Sequence, residues 1–241
     1  MNPIVYAIPV FFVLMLIEFG VAHARGRRAY RINDTLGSLS AGVTSQITEI
    51  ATKLVVIGIY AFCFEHLRVT TLPVDAWWTW LLGLLLYDFL YYWHHRMGHE
   101  VGILWASHVV HHSSEEFNLS TALRQTSSGF LLGWIFYLPM AVLGFPVIVF
   151  IVVGLIDLLY QYWIHTEQVG KLGWFDRVFA SPSNHRVHHA VNDKYLDRNY
   201  GGILILWDRM FGSFIDEDDN EPCVYGTRSR LGTFSPWWAN L

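Results

Sequence analysis

At 241 residues the chain fits one domain of ordinary size. It is 53% hydrophobic and only 15% charged, against about 25% charged in soluble domains, a balance that suits a surface facing lipid. A net charge of −4 without a basic stripe argues against a nucleic-acid partner, and Cys63 and Cys223, far apart and outside any CxxC spacing, give no disulfide framework or thiolate zinc site.

Residues 3–22 (PIVYAIPVFFVLMLIEFGVA) form an apolar run long enough for a bilayer core, which takes about 20 residues. A cleavable signal is the rival reading, since Ala22-His23-Ala24 resembles a cleavage site. Signals carry their positive charge before the apolar stretch, whereas Arg25, Arg27, Arg28 and Arg31 follow this one, so an anchor is expected. Residues 36–64 make the weakest span, with Glu49 and Lys53 before the apolar LVVIGIYAFCF. Residues 77–93 (WWTWLLGLLLYDFLYYW) are bracketed by aromatics, as in membrane-interface belts. Residues 129–143 and 147–164 are apolar segments separated by the turn Gly144-Phe145-Pro146, and the pair either spans or dips in as a hairpin.

The expected fold is therefore all-α: a multi-pass transmembrane bundle of about four spanning helices, or three plus a helical hairpin, with a cytosolic helical cap. The whole chain, 1–241, reads as one integral-membrane domain. Residues 1–93 hold transmembrane helices, 94–127 the first two histidine clusters, 128–165 the apolar pair and 166–241 the cap with the third cluster. Four arginines after the first helix hold that loop in the cytosol. Counting crossings from there places residues 65–75 outside and every histidine-rich segment on the cytosolic face. A bacterial inner membrane is expected rather than endoplasmic reticulum.

Histidine is the anomaly of the composition: all but His23 and His66 of the twelve lie between His94 and His189. The first cluster, WHHRMGHE, holds His94, His95 and His99; His95 and His99 share a helix face. The second, SHVVHH, holds His108, His111 and His112, and the third, NHRVHH, holds His185, His188 and His189. Both triplets have HxxHH spacing, and positions i, i+3 and i+4 lie on one side of a helix, so each triplet is expected to present three imidazoles to one point. His165, at the exit of the last apolar segment, is a further candidate. Nine imidazoles are too many for one ion: a structural or catalytic zinc takes three or four ligands, whereas two ions with four or five each account for the set. Imidazole suits Fe, Zn, Cu and Ni alike. A single histidine is usually a plain surface or core residue; two matched triplets plus HxxxH on one face are not.

The pattern DFLYYWHHRMGHE, then HxxHH, then a lone histidine on the last apolar helix, then SPSNHRVHH, LDRNYGG and WDRMFGSF resembles the fatty acid hydroxylase and sterol desaturase superfamily of membrane di-iron oxygenases. The likeness runs from about residue 34 to residue 214. Within the superfamily, HTEQVGKLG, SPSNHRVHH and NYGGILILWDRMFG are most similar to the alkylglycerol monooxygenase branch. The resemblance implies metal ligation by His95 rather than His94, and by His99, His108, His111, His112, His165, His185, His188 and His189. Val169 and Asn184 stand where some relatives carry further histidines.

Several neighbours are candidates for supporting roles. Asp88 sits two helical turns before His95 inside an apolar span, where a carboxylate is costly, and is expected to bond a ligand imidazole N–H; the bland alternative is a water-exposed interface residue. Asp157, eight residues before His165, reads the same way. Glu100 is a candidate catalytic residue, as an oxygen ligand or orienting group, against the alternative of a plain cytosolic charge. Asn199 and Tyr200 are expected to shape a turn beside the third cluster, and Arg96 and Arg186 either contact lipid phosphates or support the site.

The leading functional reading is an oxygenase: two iron ions, with zinc possible as purified, activate O2 to hydroxylate or desaturate a C–H bond of a fatty acyl, sterol or ether lipid. Electrons come from outside, from a pterin or a redox protein, since these residues hold no fused cytochrome or flavin motif. A zinc-dependent membrane hydrolase competes, but HExxH is absent. A membrane cytochrome needs isolated histidines facing one another across helices. A metal-handling protein without chemistry is the fourth class.

Overall fold

Long apolar runs become helices here, the first of them continuing through Pro9. The computed structural model describes residues 3–229 and 231–240. Helix α1 (Pro3–Ala24) leads through a short turn to α2 (Ile32–Leu67), whose 36 residues extend about 54 Å at 1.5 Å per residue. Helix α3 (Trp77–Glu100) runs back, carrying the apolar segment straight on into the first histidine cluster. Helix α4 (Gly102–His112) carries the second cluster and α5 (Leu119–Ala122) follows, capped by Asn118 in a capping box with Thr121.

The first apolar segment of the expected pair is not one helix. Gly129, Gly133 and Pro139 break it into two 3-10 turns (Gly129–Leu131 and Gly133–Tyr137) and the short α6 (Leu138–Val142). Helix α7 (Val147–Trp163) is regular. The two are joined at Gly144, whose φ of +89° suits glycine and where a Cβ would lie 2.1 Å from the Thr70 carbonyl oxygen. Val69 N–H donates to Val142 O and Leu72 N–H to Gly144 O, so the hairpin tip reaches the loop joining α2 to α3. The apolar core at that end packs Tyr60, Cys63, Met140, Phe145, Val149 and Val153. The rest of the chain forms α8 (Pro182–His189), which carries the third cluster, α9 (Leu206–Phe211) and α10 (Pro236–Ala239). The described residues contain no strand, only isolated bridges between Phe179 and Leu204 and between Ala190 and Tyr225.

Two helices, Tyr6–Ala24 and Ile32–Leu67, are long and apolar enough to cross a membrane, with mean hydropathies of 2.0 and 1.7. Only 17% and 11% of their most apolar windows are buried, unlike the core helix of a soluble protein. Residues 36–64, the weakest span by sequence, thus meet this measure. The segment 77–93 does not form a separate apolar helix, because α3 continues through charged and imidazole groups.

Carboxylates and one arginine tie the long helices to the histidine-bearing segments. Glu18, buried on α1, accepts from Leu119 N–H at 2.9 Å and from the hydroxyls of Tyr30 and Thr166. Asp88 on α3 accepts from Ile203 N–H, Leu204 N–H and Trp207 Nε1–H at 2.7, 3.1 and 2.8 Å. Arg186 of α8 donates bidentately to Glu217 and also to the carbonyls of Thr166 and Val169.

Candidate metal centre

The nine histidines named above converge into two adjoining sets. His95, His99, His108, His112 and His188 form one, and His111, His165, His185 and His189 the other; within each set the ligand nitrogens lie within 4.8 Å of one another. The second set is wholly buried, and His99 and His108 of the first are half-buried.

The HxxHH triplets do not each serve one point, as their spacing suggests. On α4, His108 and His112 enter the five-membered set and His111 the other. On α8 the assignment reverses: His185 and His189 enter the four-membered set and His188 the first. Helical geometry explains the split. At about 100° per residue, position i+4 lies about 40° to one side of i and i+3 about 60° to the other. The i, i+4 pair therefore addresses one ion and the remaining histidine its neighbour, so each helix lies along the line between two sites. Helix α3 adds its own i, i+4 pair, His95 and His99, while the exit of α7 adds His165 alone. Four residues after His165 stands Val169, whose carbonyl accepts from Arg186.

Backbone carbonyls fix the tautomers. His95 Nδ1–H donates to Tyr200 O at 2.8 Å, His111 to Arg124 O at 2.9 Å, His165 to Gln161 O at 2.7 Å and His188 to Arg198 O at 3.0 Å. A carbonyl can only accept, so in each neutral ring the proton sits on Nδ1 and Nε2 keeps its lone pair. The Nε2 atoms then crowd together: 3.2 Å between His111 and His165, 2.9 Å between His165 and His185, and 3.0 Å between His95 and His108. For His111 and His165 neither nitrogen can donate to the other. Buried Nε2 atoms of His99 and His188 have no hydrogen-bond partner. Converging buried lone pairs repel unless a cation lies among them, so the residues fit a pair of metal ions. Burial, with smaller contributions from neighbouring imidazoles, holds His108, His112, His185, His188 and His189 well below the ordinary histidine pKa, which keeps them neutral and able to ligate.

His94 belongs to neither set. Its Nδ1 lies 3.4 Å from the Tyr137 hydroxyl, and its ring packs on Phe136.

Residues 80–213, more than half of the chain, match the family model described as fatty acid hydroxylase. The chain belongs to that family. Alkylglycerol monooxygenases from Xenopus tropicalis and Homo sapiens are each 46% identical to it, over 96% and 95% of this chain and 51% of their own length. The ornithine lipid hydroxylase OlsE of Rhizobium tropici is 32% identical over 56% of this chain and 41% of its own length. The chain thus spans about half the length of the first curated relatives it matches. No solved structure matches it. The two long apolar helices of this fatty acid hydroxylase family chain, with most of their surface unburied, suit a membrane protein.

Around the histidines, Asp88 and Asp157 take partners other than an imidazole N–H. Glu100 is absent from both sets; its carboxylate accepts from Arg96 Nε–H at 2.8 Å on a partly exposed rim. Arg96 and Arg186 both hold carboxylates. The carboxylate oxygens of Asp88 take two backbone N–H groups and an indole instead of an imidazole, anchoring the segment just after Tyr200. Asp157 acts one step removed: it accepts from Gln161 Nε2–H at 2.6 Å, and the carbonyl of Gln161 takes the proton of His165. Eight residues, about 12 Å of helix, separate Asp157 from His165. Asn199 does shape a turn, with φ +57°, donating to Asn184 O and Ile215 O and accepting from Ile215 N–H.

Sequence reasoning missed Glu18, although the signal used for Asp88, a carboxylate within an apolar run, applies equally to it. It also missed Asp208, which accepts from Tyr200 N–H, Gly201 N–H and the Ser213 hydroxyl, and whose carboxyl is pushed up to about 6 by burial. The carbonyls of Arg124, Gln161, Arg198 and Tyr200 carry no sequence signal at all, because every residue has one.

Proposed function

We propose that the chain is the oxygenase core of a membrane enzyme that holds two iron ions on His95, His99, His108, His112 and His188, and on His111, His165, His185 and His189. Its substrate is a lipid with an alkyl chain, and we favour an alkylglycerol ether lipid, hydroxylated at a C–H bond with O2 and external electrons. The arrangement of nine inward-facing imidazole nitrogens in sets of five and four carries this reading. The relatives' names supply the substrate class. The histidines alone do not select among metals; the family favours iron, and zinc can replace it during purification.

Bound iron would supply the O2 activation that no side chain here performs. The chain's own residues orient and exclude. The carbonyls of Tyr200, Arg198, Arg124 and Gln161 keep four rings turned with Nε2 inward. Phe117 covers the four-histidine set, its ring 5.1 Å from that of His189 and 5.7 Å from that of His165, and keeps water from that side. The anchoring of α3 to residues 203–207 through Asp88 holds the cap against the helix that supplies His95 and His99.

The topology belongs to the same proposal. Residues 1–241 form one integral-membrane unit, and the four arginines after α1 place the histidines on the cytosolic face. The contact of the Gly144 turn with the loop between α2 and α3 supports an α6–α7 hairpin that runs alongside those helices and returns at His165. Electrons reach that face from a small-molecule reductant such as a pterin, or from a redox protein.

The test is lipid analysis of cells expressing the protein, with His188→Ala as the inactive control. Oxygen-dependent loss of alkylglycerols, with a hydroxylated or cleaved product absent from the control, is expected. Equal lipid profiles under air, with reductant and iron supplied, would overturn the substrate assignment.

A further inference from the structure

One short loop supplies the outer contacts for three of the five histidines in the larger set. Arg198 O accepts from His188 and Tyr200 O from His95, while the Asp197 carboxylate lies 3.6 Å from Nδ1 of His99. Opposite that contact, Nε2 of His99 is buried and without a partner, facing the ring of His188 and the rest of the set. Asp197 and Asn199 are the only non-glycine residues with positive φ among those described, at 56° and 57°. That left-handed geometry is what turns the carbonyls of 198 and 200 and the side chain of 197 toward the same histidines. The loop is pinned by Asn199 to Ile215 and Asn184, and by Asp208 to the N–H groups of Tyr200 and Gly201.

Asp197 stands apart among these partners. Four of the nine rings give Nδ1–H to a neutral carbonyl; His99 instead faces a carboxylate, at 3.6 Å just beyond direct hydrogen-bond reach and on a side chain 60% exposed. A carboxylate behind an imidazole N–H raises the basicity of the opposite nitrogen and fixes the ring's orientation, and removing such a partner typically weakens metal binding about 10–100-fold. We infer that Asp197 is a positioning residue for the ion in the five-histidine set, acting through His99, and that its loss weakens the hold on that ion alone. This rests on the reading of the nine histidines as ligands.

The backbone conformation separates this role from a merely structural one. Asn and Gly both adopt positive φ readily, so Asp197→Asn and Asp197→Gly leave the turn intact while removing the charge, or the whole side chain. Full-length protein in detergent is loaded with cobalt(II) under nitrogen. Metal per chain and the visible spectrum are then followed during a timed challenge with a chelator. In wild type both ions leave slowly. In Asp197→Gly one ion is expected to leave about 10–100-fold faster while the other keeps the wild-type rate, with Asp197→Asn intermediate because its amide oxygen still accepts. Asp193→Asn, which removes a surface carboxylate paired with Arg228, should match wild type. Wild-type rates and spectrum in both Asp197 variants would overturn the inference, as would equal acceleration of both ions. Wild-type protein that takes up no cobalt would overturn the metal reading itself, a distinguishable failure.

Discussion

His111 Nε2 and His165 Nε2 face each other across 3.2 Å, although each ring has committed its Nδ1 proton to a backbone carbonyl, Arg124 and Gln161 respectively. Two lone pairs at that separation in a buried site are stable only with a cation between them or close by. The expected consequence is about two ions per chain in protein purified anaerobically, since nine imidazoles split into sets of five and four are too many for one ion. His111 is the sole contribution of α4 to its set. His111→Ala should therefore lower metal content toward one ion and abolish turnover, measured by elemental analysis alongside an oxygen-uptake assay. Full wild-type metal in this variant would contradict the partition into five and four.

His94 and His95 are neighbours with opposite surroundings. His95→Ala should lose metal and activity. His94→Ala removes a ring packed on Phe136 and beside Gly133, leaving both histidine sets whole. It should keep both ions and cost only about 0.5–3 kcal/mol of stability, the ordinary range for a single substitution. Metal analysis and thermal unfolding of the two variants check this, and equal metal loss would show that the register is wrong.

Glu100→Gln exchanges the carboxylate that accepts from Arg96 for a neutral amide. Because that group lies on the rim outside both sets, metal content should be unchanged and stability altered by less than about 1 kcal/mol, as for an exposed ion pair. Loss of an ion from Glu100→Gln would make it a ligand after all.

Arg186→Ala strikes at support rather than ligation. It breaks the bidentate pair with Glu217, whose side chain is only 16% exposed, and frees the carbonyls of Thr166 and Val169. Removing one partner of a buried pair costs about 3–5 kcal/mol. The melting temperature should fall sharply, with Glu217→Gln milder because its amide still accepts from the guanidinium. A melting temperature unchanged in Arg186→Ala would show that the pair does not hold α8.

Topology is checked with engineered cysteines, because the native ones are poor reporters. Cys63 is buried, and the Cys223 thiol is pushed up to about 12 by burial and by Glu217, so its thiolate is scarce at neutral pH. Cysteine at Pro73, exposed in the loop between α2 and α3, should react with an impermeant reagent on intact cells. Cysteine at Asp219, whose side chain is 85% exposed on the cap, should react only once the membrane is opened. The reverse pattern would invert the chain.

The identities of the candidate ligands were legible in the sequence because helical periodicity is local. HxxxH and HxxHH put imidazoles on one side of a helix wherever that helix goes, and apolar length marked α1 and α2 without reference to anything else. Glycine and proline also marked the turn at Gly144. What no local pattern holds is which histidine answers to which ion. That depends on α4 and α8 lying in opposite senses between two points, so that the pair His108/His112 and the lone His188 meet, while His111 meets His185 and His189. The same holds for the groups that orient the rings. Asp88, read as a partner for an imidazole, clasps the backbone of residues 203 and 204. The imidazole protons go to carbonyls that only the folded path of residues 124, 161, 198 and 200 brings within reach. Periodicity selects a face, but a distance between two faces belongs to the tertiary structure alone.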